Sequence, residues 1–336
     1  MYLRDLMGGT ISERSVTVTA KTKGIMRIAV ALAVFFGAAT AAMAGEEYDV
    51  TVGGWFMFVD RADNLWGNGH RKIDSIYSKP QSKAVFVAYP FVDVRYNPAA
   101  LAKEENRFSF YLNTSLEPGS LSAGGRYDFG GSYLDVYGFY SLIAKNWQNP
   151  YVLYRTSTST MNYGGKITYG NILGSDLYLS YRFGLTDVDK DVIGTLVPSL
   201  QQDGYTHTVA AGYRLKAGER FSIIPEVLYE LGDYDGNANS YNSYGGAVAA
   251  EYRFDILKLS ARVYGRKVKF DSMNPIYLET RDENYYGAGI LAFYPDPFGF
   301  KNFILSVGLN ANATNSNITF FDNHQTMGYM ALGYSF

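Results

Sequence analysis

The chain has 336 residues, with 30 Lys and Arg against 32 Asp and Glu, so no net basic field favours nucleic acid. It contains no Cys, which excludes structural disulfides, thiolate metal sites, C-x-x-C-H haem attachment and a lipoprotein anchor. Tyr, Phe and Gly are abundant (30, 21 and 35 residues), yet mean hydropathy is only −0.13, so apolar surface is spread over short alternating segments.

At the start of the chain, Lys21, Lys23 and Arg27 precede an apolar run from Ile28 to Ala41, and Ala42-Met43-Ala44 supplies the small-residue pattern that signal peptidase cuts after. Residues 1–44 read as a leader, with 26–44 a signal peptide that could itself begin at Met26 and 1–25 an upstream extension of the start site. The apolar run is too short and Ala-rich for a membrane helix, and nothing later reaches about 18 uninterrupted apolar residues. Removing 1–44 leaves 25 basic against 30 acidic residues, about −5, on a single domain spanning 45–336.

Fourteen strand-like segments follow, each near the length that a tilted membrane strand needs, about nine residues or more. They are Tyr48–Val59, Ala84–Tyr96, Asn106–Leu116, Ser120–Asp128, Ser132–Ala144, Thr160–Gly170, Ser175–Asp187, Gly204–Lys216, Arg220–Gly232, Asn242–Phe254, Leu257–Phe270, Glu283–Tyr294, Asn302–Ala313 and His324–Phe336. Short turns such as 129–131, 171–174 and 217–219 alternate with longer, polar segments such as 60–83, 188–203 and 271–282. The pattern predicts an all-β, antiparallel up-and-down transmembrane barrel with both termini and the short turns in the periplasm and no plug domain before the first strand. Two joins, 97–105 and 117–119, do not fit the alternation, so twelve or sixteen strands stay open. Pro90 and Pro225 cannot donate to a ladder and predict a bulge each.

The last segment carries an address. Phe336, Tyr334, Leu332, Met330 and Gly328 occupy alternate positions up to the terminal residue, as in the C-terminal assembly signal of Gram-negative outer-membrane barrels. The expected location is the outer membrane, and the expected partners are its lipid and lipopolysaccharide, the barrel assembly machinery and small hydrophilic solutes. Tyr252, Phe254, Phe221 and Phe303 join Tyr334 and Phe336 as an expected interfacial girdle.

Within strands, charge segregates to one face. Phe221, Ile223, Val227, Tyr229 and Leu231 alternate with Glu226 and Glu230, and Leu257, Leu259, Ala261 and Val263 with Lys258, Arg262 and Arg266. A lipid-facing Arg or Lys at mid-membrane would cost about 2–4 kcal/mol, so the charged face should line the lumen. Glu226, Glu230 and Glu251 could then face Arg253, Lys258, Arg262 and Arg266 across three consecutive strands, a transverse field suited to passive diffusion of small polar solutes. The same pairs could instead fill the interior of a closed scaffold or conduit barrel that houses an envelope partner.

An enzyme ranks third. The three histidines, His70, His207 and His324, all fall near the long-loop end, but His207 shares the lipid-facing parity with Val209 and Ala211. The run Asp233 to Asn239 resembles the start of a calcium loop, yet Ala238 replaces the required Gly and Tyr244 the bidentate Glu, so an Asx-rich turn is expected and no metal or cofactor. Asp187, Asp189 and Asp191 read as a solvated acidic loop.

Several connections carry a family's wording. Gly232-Asp-Tyr-Asp-Gly-Asn-Ala-Asn-Ser-Tyr241, Asn274-Pro-Ile276, Tyr294-Pro-Asp-Pro-Phe-Gly-Phe-Lys-Asn302, Thr314-Asn-Ser-Asn-Ile-Thr-Phe-Phe-Asp322 and Ile172-Leu-Gly-Ser175 resemble the Domain of Unknown Function 2860 family of proteobacterial exported proteins. The resemblance covers most of the chain from about Ala84 onward. It implies an uncharacterised outer-membrane β-barrel and supplies no catalytic or binding residue.

Overall fold

The computed structural model describes residues 47–98, 106–114, 120–141 and 144–336. The expected leader and the join at 117–119 lie outside the described residues, as does most of the join at 97–105. Fourteen strands form the wall: β1 Tyr48–Asp63, β2 Ser82–Tyr96, β3 Asn106–Asn113, β4 Ser120–Phe129, β5 Ser132–Ser141, β6 Ser157–Gly170, β7 Leu177–Val188, β8 Gly204–Tyr213, β9 Phe221–Tyr234, β10 Tyr241–Arg253, β11 Lys258–Asn274, β12 Glu279–Pro295, β13 Phe303–Ser316 and β14 Asn323–Ser335. Two short pieces extend this wall. Lys145–Trp147 pairs with the outer end of β6, and Leu215–Ala217 continues β8 against β9.

Each strand runs antiparallel to the one before it, and β14 pairs back onto β1 from Ser335 opposite Thr51 to Asn323 opposite Asp63. The sheet is a closed barrel, the arrangement that lets membrane-level backbone groups find partners within the wall. Strand length is uneven. β11 and β12 have 17 residues each, whereas β3 has eight, and among the described residues β2 pairs with β3 only over Asp93–Tyr96. One side of the wall is therefore low.

Side-chain parity follows the sequence pattern. On β9, Ile223, Val227 and Tyr229 are exposed on the outside while Glu226 and Glu230 turn inward, and on β7 Leu177, Leu179 and Tyr181 are exposed. Such a continuous exposed apolar belt is stable only under hydrocarbon. Aromatic rings border it at the short-turn rim: Phe108, Tyr127, Phe129 and Tyr169 stack in sequence, Tyr252 meets Phe254, and Phe303, Tyr334 and Phe336 form edge-to-face pairs.

Among the described residues neither expected bulge is present. Pro90 stands opposite Gly54, and Pro225 opposite Val248, in unbroken register. On the other side of Pro225 the ladder to β8 pauses opposite Tyr213 and Arg214, then resumes in the same register with Leu215 opposite Ile223. Skipping hydrogen bonds at one proline disturbs the ladder less than a one-residue slip, which would turn every later side chain to the wrong face. The register shift in β11–β12 falls instead between Lys269 and Met273, beyond the belt.

At the short-turn rim, Tyr294 to Asn302 forms a tight turn. Pro297–Gly299 is a single 3-10 turn, Asp296 and Asn302 adopt positive φ, and Asp296 Oδ1 accepts the Asn302 amide at 2.6 Å.

Parity predicts the response to a charge. Val227→Arg, on the lipid face, should lower unfolding stability in micelles by about 2–4 kcal/mol, while Ser260→Arg, on the lumen face opposite Glu251, should cost far less. Urea titration of the two refolded variants measures both; equal losses would contradict the assignment of faces.

Candidate functional site

The inward charges form one ladder along the wall from β7 to β12. Near the short-turn rim Lys216 pairs with Asp176 at 2.7 Å, and Glu251 receives Arg214 at 2.7 Å and Lys258 at 3.0 Å. Higher up, Glu226 receives Arg262 at 2.7 Å and the Tyr178 hydroxyl, and Glu230 receives Arg266 and the Tyr241 hydroxyl, both at 2.8 Å, with Thr208 at 2.9 Å. Next to the loop end, Arg281 lies 3.3 Å from Glu283.

The spacing comes from the strands themselves. Carboxylates four apart on β9 meet guanidiniums four apart on β11, so both ion pairs repeat after two inward positions. They reach across β10, whose inward residues at that level are small. Arg262 and Arg266 stand opposite Ala249 and Gly245, and a Cβ at Gly245 would lie 2.2 Å from the Gly265 carbonyl oxygen. The sequence named Glu226, Glu230, Glu251, Lys258, Arg262 and Arg266, and the fold brings them together. Arg253 stands apart: it ends β10 opposite Lys258, and among the described residues no ion pair joins it to the ladder. Tyr178, Thr208 and Tyr241 carry no charge to single them out, and their inward parity is the signal that could have found them.

Another wall of the lumen is apolar. On β1, β2 and β14, Trp55 packs against Phe91 and Tyr329 at 6.1 and 5.8 Å, and Met57 is buried behind the Tyr89 hydroxyl. Gly53 makes room for this cluster, since a Cβ there would lie 2.5 Å from the Phe91 ring.

The long connections do not behave as the polar loops expected. Ile73, Ile318, Phe320 and Phe321 form a buried cluster with Ile76, Tyr151 and Tyr277, and Ile193, Leu200 and Ala238 form a second that shares Tyr151. Six connections contribute: 64–81, 144–156, 189–203, 235–240, 275–278 and 317–322. Together they make a cap with its own core, because strands alone leave these large apolar residues no other place to hide from water. Polar bonds tie it together. Arg155 stacks over Trp147 at 4.5 Å and donates to the carbonyls of Asn64 and His70; Asn64 donates to the Phe320 carbonyl and Tyr277 to that of Ile76. Burial lowers the Arg155 pKa to about 10, partly offset by Asp63, and burial raises that of Tyr151.

Between cap and ladder lies a chamber of about 680 Å³, lined among others by Arg61, Trp66, Tyr151, Tyr241, Arg266 and Arg281. A second space of about 420 Å³ sits lower, beside Asp176, Tyr178, Arg214, Glu226, Glu251 and Arg262.

Other singled-out residues have structural partners. Phe336, Leu332 and Met330 point outward on the closing strand, Tyr334 and Gly328 share their parity, and the Phe336 amide bonds to Val50. His70 contacts the Ser82 carbonyl at 2.9 Å, His207 the Tyr181 hydroxyl at 2.8 Å on the outer face, and His324 stands opposite Ala62. Asp191 is no solvated loop residue: it caps α1, Val192–Leu196, accepting from Gly194 at 2.9 Å and from the Gln202 amide at 2.7 Å. In the 233–239 turn, the Asn239 amide is spent on the Leu200 and Gln201 carbonyls and Ala238 packs in the cap.

A family model described as "Protein of unknown function (DUF2860)" matches residues 48–335. No curated protein sequence matches the chain. Solved structures similar to it include the outer membrane channel DcaP of Acinetobacter baumannii, with 12% identity and a TM-score of 0.40 over 87% of this chain and 99% of that one. OmpT, an outer membrane protein of Vibrio cholerae, shows 9% identity and a TM-score of 0.41 over 87% of this chain and 98% of its own.

The cap's packing sets an expected outcome. Phe320→Ala, removing a side chain whose loss from a core costs about 3–5 kcal/mol, should raise the rate of protease cleavage in the long connections at least about ten-fold. Heat-modifiable migration of the barrel should stay unchanged.

Proposed function

Because the chain belongs to the DUF2860 family, whose description gives no activity, we propose from the lumen itself that it acts as an outer-membrane channel for passive diffusion of small hydrophilic solutes. The observation that carries this reading is the ladder. Ion pairs and hydroxyls continue along one lumen wall from the short-turn rim to the chamber beneath the cap, so a polar solute meets exchangeable partners over that distance. The belt of exposed apolar side chains supports seating in lipid, where lipopolysaccharide of the outer leaflet would surround the loop-end half. The start of β1 at Tyr48 and the end of β14 at Ser335 both lie at the short-turn rim, which supports short turns in the periplasm and the cap outside. The strand ending at Phe336 would be the segment read by the barrel assembly machinery.

The cap favours a second reading, a closed barrel serving as scaffold or conduit for an envelope partner. Planar-bilayer recording separates them. An open channel gives discrete conductance steps that grow in Phe320→Ala; silence from correctly folded protein and from that variant would support the closed barrel. Selectivity gives a finer test. Arg262→Glu combined with Arg266→Glu should raise the cation-over-anion permeability ratio by roughly two-fold or more, and an unchanged ratio would remove the ladder from the conduction path.

A further inference from the structure

The chamber beneath the cap has the makings of a binding site, not merely a widening of the path. Its volume of about 680 Å³ lies within the roughly 300–1,000 Å³ typical of small-molecule sites. Cations outnumber acids on its surface: Arg61, Lys145, Arg266 and Arg281 line it, against Asp63 alone. Asp63 is already spent on Arg61 and the Leu65 amide. The carboxylates that partner Arg266 and Arg281, Glu230 and Glu283, are not part of the lining.

Donors remain unspent there. Arg266 gives Nη1 to Glu230, but its Nε is buried without a hydrogen-bond partner. Arg281 Nε lies near Glu283 but outside hydrogen-bond geometry, and its guanidinium is held flat against the Phe270 and Phe321 rings. Thr160 lines the same chamber at 6% exposure, and its hydroxyl has no partner at all. Buried polar groups are seldom left unpaired, and unpaired ones on residues that line a polar cavity point to a guest. Asn162 and Thr186, joined by a 3.0 Å bond from the Thr186 hydroxyl to Asn162 Oδ1, leave the Asn162 amide donors as further hydroxyl-matching groups, and Trp66 and Tyr151 line the same space.

We propose that this chamber binds a small sugar acid, with the carboxylate held by Arg266 and Arg281 and the ring hydroxyls by Thr160 and its neighbours. The proposal deepens the channel reading by naming its solute class, and binding is measured apart from conduction so that either can fail alone.

The test is calorimetric titration of the full barrel in detergent with galacturonate, galactose and acetate at constant ionic strength. Galacturonate should bind saturably and at least about ten-fold more tightly than the other two, since only it offers both charge and hydroxyls. Arg281→Gln should abolish the preference over galactose. Because that change also removes a ring contact in the cap, Thr160→Val is the second variant: it should leave thermal stability equal or higher while weakening galacturonate binding about five-fold. Equal affinity for galactose and galacturonate, no saturable binding, or unaltered binding in Thr160→Val would each overturn the proposal. Conductance without binding removes the site and leaves the channel; binding without conductance does the reverse.

Discussion

A backbone amide surrounded by hydrocarbon has no water to bond with, and each one left unpaired costs several kcal/mol. That constraint forces the strands of this chain to close on themselves, with β14 meeting β1, and closure in turn fixes which face every side chain takes. Once one Val or Tyr of a strand faces lipid, its neighbours two residues away must as well, and the charges between them have only the lumen left. The ion-pair ladder is thus less an added feature than the other side of the apolar belt. Its particular geometry depends on β10, where alanines and a glycine leave the space that lets β9 and β11 reach each other.

The two ends of the barrel solve different problems. The short-turn rim is held by tight turns and stacked rings. The loop end carries residues too apolar to stand in water, and they are buried against one another rather than in lipid. A solute entering from the loop end would meet the cap before the ladder, with the chamber between them. The apolar cluster around Trp55 and Phe91 leaves the charged wall facing a partly non-polar one, a lumen in which a ring and a charge can be accommodated together.

What could be read from the sequence was whatever obeyed a period of two. The order of the strands, the inward set Glu226, Glu230, Glu251, Arg262 and Arg266, and the outward Phe336, Leu332 and Met330 all follow from alternation, while the joins at 97–105 and 117–119 left the count of fourteen open to twelve or sixteen. Strand ends were less legible, because β11 and β12 continue past the membrane into Asn274 and back from Glu279, where water on both sides relaxes the pattern. The cap was missed for a related reason. Ile73, Tyr151, Leu200 and Phe320 lie in separate connections with no shared period, and only tertiary packing brings them together. The Ile-Thr-Phe-Phe run at 318–321 was the visible warning that these segments were not simply polar. The prolines misled in the opposite direction: Pro90 and Pro225 break hydrogen bonds, but register on a two-faced strand is costlier to change than one missing bond.

Adjacent residues of β9 offer the most direct measurement of the central claim, and the absence of native Cys makes it clean. In protein reconstituted into liposomes, Glu226→Cys and Val227→Cys are each challenged with a charged, water-soluble thiol reagent, and a fluorophore at each position is exposed to lipid-borne quenchers. The account predicts that position 226 reacts with the reagent and escapes quenching, while position 227 is quenched and reacts slowly. Equal behaviour at the two positions, or the reverse assignment, would contradict it.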